Sequence, residues 1–368
     1  MDTWAWVLSG VILLTGYGLL AVRLARVYRL PEPEAERLLV ELPRLGHHVA
    51  LYHYPGRRRW AEPVILCHGL GSNRYNVDFF DDGEGQDRLS LARRLQDRGF
   101  DVWSLETRGH GHARVQGGRW GLFDEVRQDF VVALDTVSQM SGSRRVFWLG
   151  HSWGGLIPLV HEATQAPRLA GLIAVGTPGR IRQAPSALHP ILRVLERVPI
   201  GLPLPLMARM ALPMAAPLAL LARVLAPRLT RLPDPMLRRL LASLPAPIPP
   251  GIMADLARFA RIGGLADEEG RRVDWSEMNT PVFFVAGQRD WLAPVPSVRA
   301  AFEGVGAEDK TFLLARNEGQ GASDFGHGGL LLGEHAPEVV FPAIEHWLEA
   351  RAHPHAEPRA NGVAHPIG

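Results

Sequence analysis

The sequence predicts an α/β fold: a mostly parallel sheet with helices on both faces, interrupted by a helical insertion and preceded by one apolar helix. Three observations predict it. Short apolar runs alternate with helical patterns from about residue 48 to 178, the rhythm of a parallel sheet covered on both faces. That rhythm stops near Pro178 and resumes at Pro281, with twelve prolines from Pro199 to Pro250 that break helices into short pieces. Ahead of both, Trp4 to Val22 runs 19 residues without a charge. The 368-residue chain is 46% hydrophobic and 21% charged. That suits one large or two small domains with a sizeable core and excludes a disordered or fibrous chain. A net charge of +2 lacks the basic excess that nucleic acid demands. Lys310 is the one lysine among 40 basic residues, a bias we read as compositional. Cys67 is the one cysteine, which excludes an intramolecular disulfide and any multi-cysteine metal site.

Taken in order, residues 1–29 read as a transmembrane anchor with a basic flank. Nineteen helical residues reach about 28 Å, close to the hydrocarbon thickness of a bilayer of about 30 Å. Trp4, Trp6 and Tyr17 suit the interfaces. A cleaved signal peptide wants a basic start and a shorter apolar run. Here Asp2 precedes the run and Arg23, Arg26 and Arg29 follow it. A soluble amphipathic or core helix is the third reading. Residues 30–44, with Pro31, Pro33, Pro43 and several glutamates, read as a linker or early helix. The body follows in two parts, 45–178 and 280–351. In the first, strands are expected at 48–54, 63–67, 100–105, 146–149 and 169–175, with helices at 88–98, 123–140 and from about 154. The intervening segment 179–279 shows no clear strand. Between Arg180 and Leu240 it carries ten arginines against Glu196 and Asp234. Strands at 281–286 and 310–314 and a helix at 336–351 complete the body. The Pro-, His- and Gly-rich tail 352–368 reads as disordered.

The chemistry concentrates at strand ends. Gly150-His-Ser152-Trp-Gly154 follows an apolar strand and precedes a helix, the setting of a nucleophile elbow. Its glycines relieve crowding in a sharp turn that exposes the serine oxygen. A tight turn with a solvated serine is the plain alternative. Serine needs a base and an orienting acid. Asp290 follows the strand at 281–286, and His327 lies 37 residues later, before the last helix. The order Ser, Asp, His is that of α/β-hydrolases. Asp324 is a rival acid, and His335, His151, His110 and His112 are rival bases. A tetrahedral intermediate needs preorganised N–H donors. Trp153, after the serine, and Leu70, in the His68-Gly-Leu-Gly71 turn after the strand at 63–67, supply backbone candidates. His110 and His112 lack the carboxylate or cysteine partners of a metal site and read as part of a shaping turn. No metal or cofactor is expected. The tail histidines His353, His355 and His365 read as solvated.

These motifs, namely Cys67-His-Gly-Leu-Gly-Ser72, Arg108-Gly-His-Gly111, Gly150-His-Ser-Trp-Gly154, Gly287-Gln-Arg-Asp290 and Asp324-Phe-Gly-His327, resemble the α/β-hydrolase superfamily across about residues 45–350. Gly99-Phe-Asp-Val-Trp103, Gly326-His-Gly-Gly-Leu-Leu-Leu-Gly333 and Val339-Val-Phe-Pro342 resemble more particularly the branch of acid-lipase-like hydrolases and polyhydroxyalkanoate synthases. The synthases use cysteine at the elbow, so Ser152 favours hydrolysis, and Cys67 reads as buried packing. The resemblance implies an eight-stranded, mostly parallel sheet with a helical cap over 179–279. It implies a triad of Ser152, His327 and Asp290, with Leu70 and Trp153 N–H groups as the oxyanion hole. The expected partners are a lipophilic ester and membrane lipid. An acyltransferase or thioesterase would use the same triad. A non-catalytic binding protein on this fold would show a broken one. Arginines after the apolar run keep that flank inside, so the body is expected in the cytoplasm.

Overall fold

Eight strands form one sheet in the order β1-β2-β4-β3-β5-β6-β7-β8. They are β1 (Glu36–Glu41), β2 (His48–Tyr54), β3 (Val64–Cys67), β4 (Val102–Glu106), β5 (Phe147–His151), β6 (Gly171–Val175), β7 (Val282–Gly287) and β8 (Lys310–Ala315). β2 runs antiparallel to both β1 and β4, and every other pairing is parallel. The structure, a computed structural model, describes residues 3–355 apart from 33, 44–45, 81–85, 199, 216, 218–233, 268 and 317–324. The central strands are buried throughout because both faces are covered. In β3, Val64 and Leu66 join one buried cluster while Ile65 and Cys67 join the other. Phe147 and Leu149 of β5 part from Trp148 in the same way, the two-residue period of a pleated strand.

The α-helices of seven or more residues among the described residues are α1 (Thr3–Val27), α2 (Leu91–Asp97), α3 (Phe130–Ser141), α4 (Trp153–Thr164), α5 (His189–Arg197), α6 (Leu204–Ala211), α7 (Asp234–Ser243), α8 (Pro250–Ile262), α9 (Val295–Gly304) and α10 (Ala336–Glu349). Leu91, Leu95, Val340, Phe341 and Ile344 place α2 and α10 on one face. Phe130, Leu134, Leu156, Val160 and Val298 place α3, α4 and α9 on the other. Ser90 caps α2, its hydroxyl accepting from Arg93 N. A π-helical turn at Glu125–Asp129 leads into α3.

Between β6 and β7 the described residues hold α5 to α8, with isolated bridges at Leu202–Ile248 and Ala266–Arg272 in place of strands. This insertion lies on the turn after β3. Ala246 N donates to Gly71 O at 2.9 Å, and Asp255 Oδ2 accepts from Leu122 N at 2.7 Å. Arg261 Nε pairs with Glu196 at 2.5 Å and ties α8 to α5.

In α1, Trp6–Val27 is 22 residues of apolar helix, long enough to cross a membrane, a property that a signal sequence shares. Its later half lies on the insertion. Tyr17 Oη donates to Met210 O at 2.6 Å, and Leu30 N donates to Ser243 Oγ at 2.8 Å.

Two expectations are corrected. Residues 30–44, expected to be a linker, contain β1, where Leu38, Leu39 and Val40 lie opposite Leu51, Ala50 and Val49. It is a half-buried edge strand with charged ends, so its short apolar centre gives little periodicity to read. The start of the tail is held as well. His353 N donates to Glu62 Oε2 at 2.8 Å and His355 N to Arg59 O at 2.8 Å. Residues 356–368 lie outside the described residues.

Candidate active site

Ser152 sits where β5 turns into α4, with φ 53° and ψ −115°. It is the one residue other than glycine with positive φ among the described residues. Such a conformation costs on the order of 1–3 kcal/mol and must be held by its surroundings. Ser152 N donates to Val175 O at 2.8 Å, while its carbonyl accepts from Gly155 N at 3.0 Å and Thr177 Oγ1 at 3.1 Å. A Cβ on Gly150 would lie 2.1 Å from Gly154 O, and one on Gly154 would lie 2.4 Å from His68 O. No side chain fits at either glycine, which explains the motif sterically.

Asp290 follows β7 and is almost fully buried. Its Oδ1 accepts from Leu292 N at 2.9 Å and Ala293 N at 2.8 Å, which leaves Oδ2 for His327 Nδ1 at 2.7 Å. A proton on Nδ1 donated to that carboxylate leaves Nε2 as the basic atom of a neutral ring. The pair lies beside the elbow. A Cβ on Gly176 would sit 3.3 Å from Asp290 Oδ2 and 3.5 Å from His327 Cε1, and Gly176 directly follows the Val175 carbonyl that holds Ser152 N. His151 makes the second link: its Nε2 lies 3.0 Å from His327 O, and the two rings are 4.7 Å apart. Burial, with His327 adding to it, pushes the His151 imidazole down to about 3, so it is neutral near pH 7.

The turn after β3 lies on the other side of Ser152. A Cβ on Gly69 would lie 3.3 Å from Ser152 Cβ. Gly69 N donates to Asn76 Oδ1 at 3.0 Å, so this amide is already used. Neither Leu70 N nor Trp153 N meets a protein acceptor among the described residues. Trp153 directly follows the serine in the chain, and Leu70 directly follows Gly69.

The family model Hydrolase_4, described as serine aminopeptidase S33, matches residues 62–223. The thermophilic esterase from Thermogutta terrifontis superposes with a TM-score of 0.55 at 18% identity, covering 87% of this chain and 100% of that one. The chain has the fold of α/β-hydrolases. A structure titled as a membrane phospholipase A, a novel bacterial virulence factor, shares this α/β-hydrolase fold with a TM-score of 0.52 at 15% identity, covering 95% of this chain and 96% of that one. Protein phosphatase methylesterase 1 of Candida albicans is 29% identical over 132 residues, 35% of this chain. The match spans 32% of that relative, about a third of its length.

Within this fold the other candidates have separate explanations. Arg108 donates from N and Nε to Asp129 at 2.8 and 2.6 Å, which fixes the Arg108-Gly-His-Gly111 turn. His110 is buried against Thr107 Oγ1, and His112 Nδ1 lies 2.8 Å from Tyr52 Oη. No group of three or more metal-ligating side chains occurs among the described residues. His335 faces Glu338 at 4.0 Å, and Asp324 lies outside the described residues. Cys67 is fully buried in the sheet, and burial pushes its thiol well up.

Sequence reasoning missed Asn76 and Glu125. Asn76 Oδ1 joins Gly69 N to His151 Nδ1 at 2.9 Å. Glu125 Oε2 accepts from the indole of Trp153 at 2.7 Å. Burial and the nearby Asp129 raise the Glu125 carboxyl well above the ordinary range. Neither residue belongs to a motif, and the signal for each is its contact in space alone.

Proposed function

We propose that this chain is a membrane-anchored serine hydrolase that cleaves carboxylic esters of lipophilic acyl groups. The observation that carries the proposal is the hydrogen-bonded Asp290–His327 pair beside a serine held at positive φ. Ser152 Oγ attacks the ester carbonyl while His327 Nε2 takes its proton. Asp290 holds the ring in that tautomer and stabilises the imidazolium. The amides of Leu70 and Trp153 donate to the oxyanion. His327 returns the proton to the leaving alcohol, and an acyl-Ser152 remains. Water, deprotonated by His327, releases the acid. No metal or organic cofactor takes part in this cycle.

The lipophilic substrate is supported by the helical insertion, which we assign as a cap. Leu206, Met207, Met210 and Met214 are exposed on it, next to α1. The esterase and the membrane phospholipase A that share the fold are in keeping with an ester substrate. With α1 across the membrane and Arg23, Arg26 and Arg29 on the inner flank, the body stands in the cytoplasm. Two assays test the proposal. Purified protein given a glycerolipid emulsion should release free fatty acid, and added alcohol should divert little of it to a new ester. Dominant ester formation would make the protein an acyltransferase. After a carbonate wash the chain should stay in membranes, and a form starting at Pro31 should be largely soluble. Release of the full chain by carbonate would remove the anchor.

A further inference from the structure

We propose that a cavity between the end of α1 and the helical insertion binds the phosphate group of an anionic membrane phospholipid. The inference rests on reading α1 as a membrane segment. The cavity has a volume of about 460 Å³, and Ser152, Asp290 and His327 are not among its lining residues. That volume falls in the range of small-molecule sites. Arg26 of α1, Arg29 two residues past its end, Arg209 of α6 and Arg74 after the β3 turn all line it.

The charges around it do not cancel. Glu32, the one acidic residue of the wall, pairs with Arg74 at 2.6 Å. Arg74 also reaches the buried Glu106 at 3.3 Å. Arg26, Arg29 and Arg209 are exposed and have no carboxylate partner among the described residues. Three permanent charges therefore line a concave wall whose one carboxylate, Glu32, is already paired with Arg74. Arg74 adds a second observation. It is almost fully buried, and its Nε–H has no hydrogen-bond acceptor. Its Nη atoms are held by Glu32, Glu106, Tyr52 and Tyr75, which fixes a fourth cationic group in the wall.

Depth selects a lipid over a free anion. Tyr17, bonded to Met210 O, lies nine residues before Arg26, or about 14 Å along the helix. The exposed Leu206, Met207 and Met210 thus lie beside apolar α1, and the arginines begin where that helix meets its basic flank. An acyl chain would follow the apolar part and a phosphate would reach the arginines. The excess of positive charge prefers phosphatidylglycerol to phosphatidylcholine.

The full-length protein in non-ionic detergent, titrated with dioleoyl phosphatidylglycerol or dioleoyl phosphatidylcholine and read by native mass spectrometry, tests this. Phosphatidylglycerol should bind about tenfold more tightly. The combined variant Arg26→Gln, Arg29→Gln, Arg209→Gln should bind both lipids equally at an unchanged melting temperature. The corresponding triple Lys variant should keep most of the preference. Equal binding of both lipids by the wild type, or a preference that survives the Gln variant, would overturn the site. Millimolar inorganic phosphate that displaces the lipid completely would also overturn it, by making this a free-phosphate site. The assay is done in detergent, so a failure of membrane anchoring in cells would leave its result unaffected.

Discussion

At the strand ends, Asp290 and Thr177 are almost fully buried, and the Ser152 backbone is held by four hydrogen bonds. Across from them, α5 and α6 bury no residue and expose Ile191, Val194, Leu206, Met207 and Met210. The strand ends fix atoms to within a hydrogen bond's tolerance, whereas the insertion offers an apolar surface rich in adaptable methionine. The difference separates two tasks. A triad needs one geometry, and an acyl chain needs contact area.

The largest effect should come from the rigid region. His327→Ala or Asp290→Asn should lower kcat on a short ester by about 10³–10⁴-fold. Adding either change to Ser152→Ala should cost nothing further, because the three act as a unit. Additive losses in steady-state kinetics would mean that the region is not one device.

Acid should attack the same region. Burial holds His68 down to about 4, and His110 and His151 down to about 3, so all three are neutral in the folded chain near pH 7. Unfolded histidines titrate near 6.5. Stability contributed by these groups is therefore present above about pH 6.5 and lost as the pH falls towards 4 and 3. Each contributes a slope of up to about 1.4 kcal/mol per pH unit. Denaturant melts across that range should show the decline, and His110→Gln should flatten it. A flat profile would remove the contrast.

Relieving strain should help the fold while ending the chemistry. Ser152→Gly should raise stability by about 1 kcal/mol, since glycine adopts φ 53° without penalty. A loss of stability in the melt would show that the elbow is unstrained. The smallest step belongs to the insertion. Each added acyl CH₂ should gain about 0.8 kcal/mol, or about fourfold in kcat/KM, until the apolar surface of the insertion is covered. Met207→Ala should lower the values for long chains and spare those for acetyl. A preference for acetyl esters that falls steadily with length would refute a lipophilic substrate.

The strand ends were legible because they are local. Gly150 to Gly154 and Gly287 to Asp290 each pack an apolar strand, a turn and the side chain it carries into a few residues. Contacts made at a distance were not. Glu125 reaches Trp153 across 28 residues and Tyr17 reaches Met210 across 193, and no periodicity encodes either. β1 escaped because an edge strand needs few buried residues, and Leu38, Leu39 and Val40 are only half-buried. The helices of the insertion were foreseen only as broken pieces, since prolines mark where a helix stops and not what it packs on.

The central claim is that Ser152 is the nucleophile. The most direct test is labelling of the full-length protein with a fluorophosphonate, followed by mass mapping of the adduct. The account predicts a single adduct on Ser152. It should be absent from Ser152→Ala and strongly reduced in His327→Ala, with both variants folded by circular dichroism. An adduct on another residue, or ester turnover by Ser152→Ala at the wild-type rate, would contradict it.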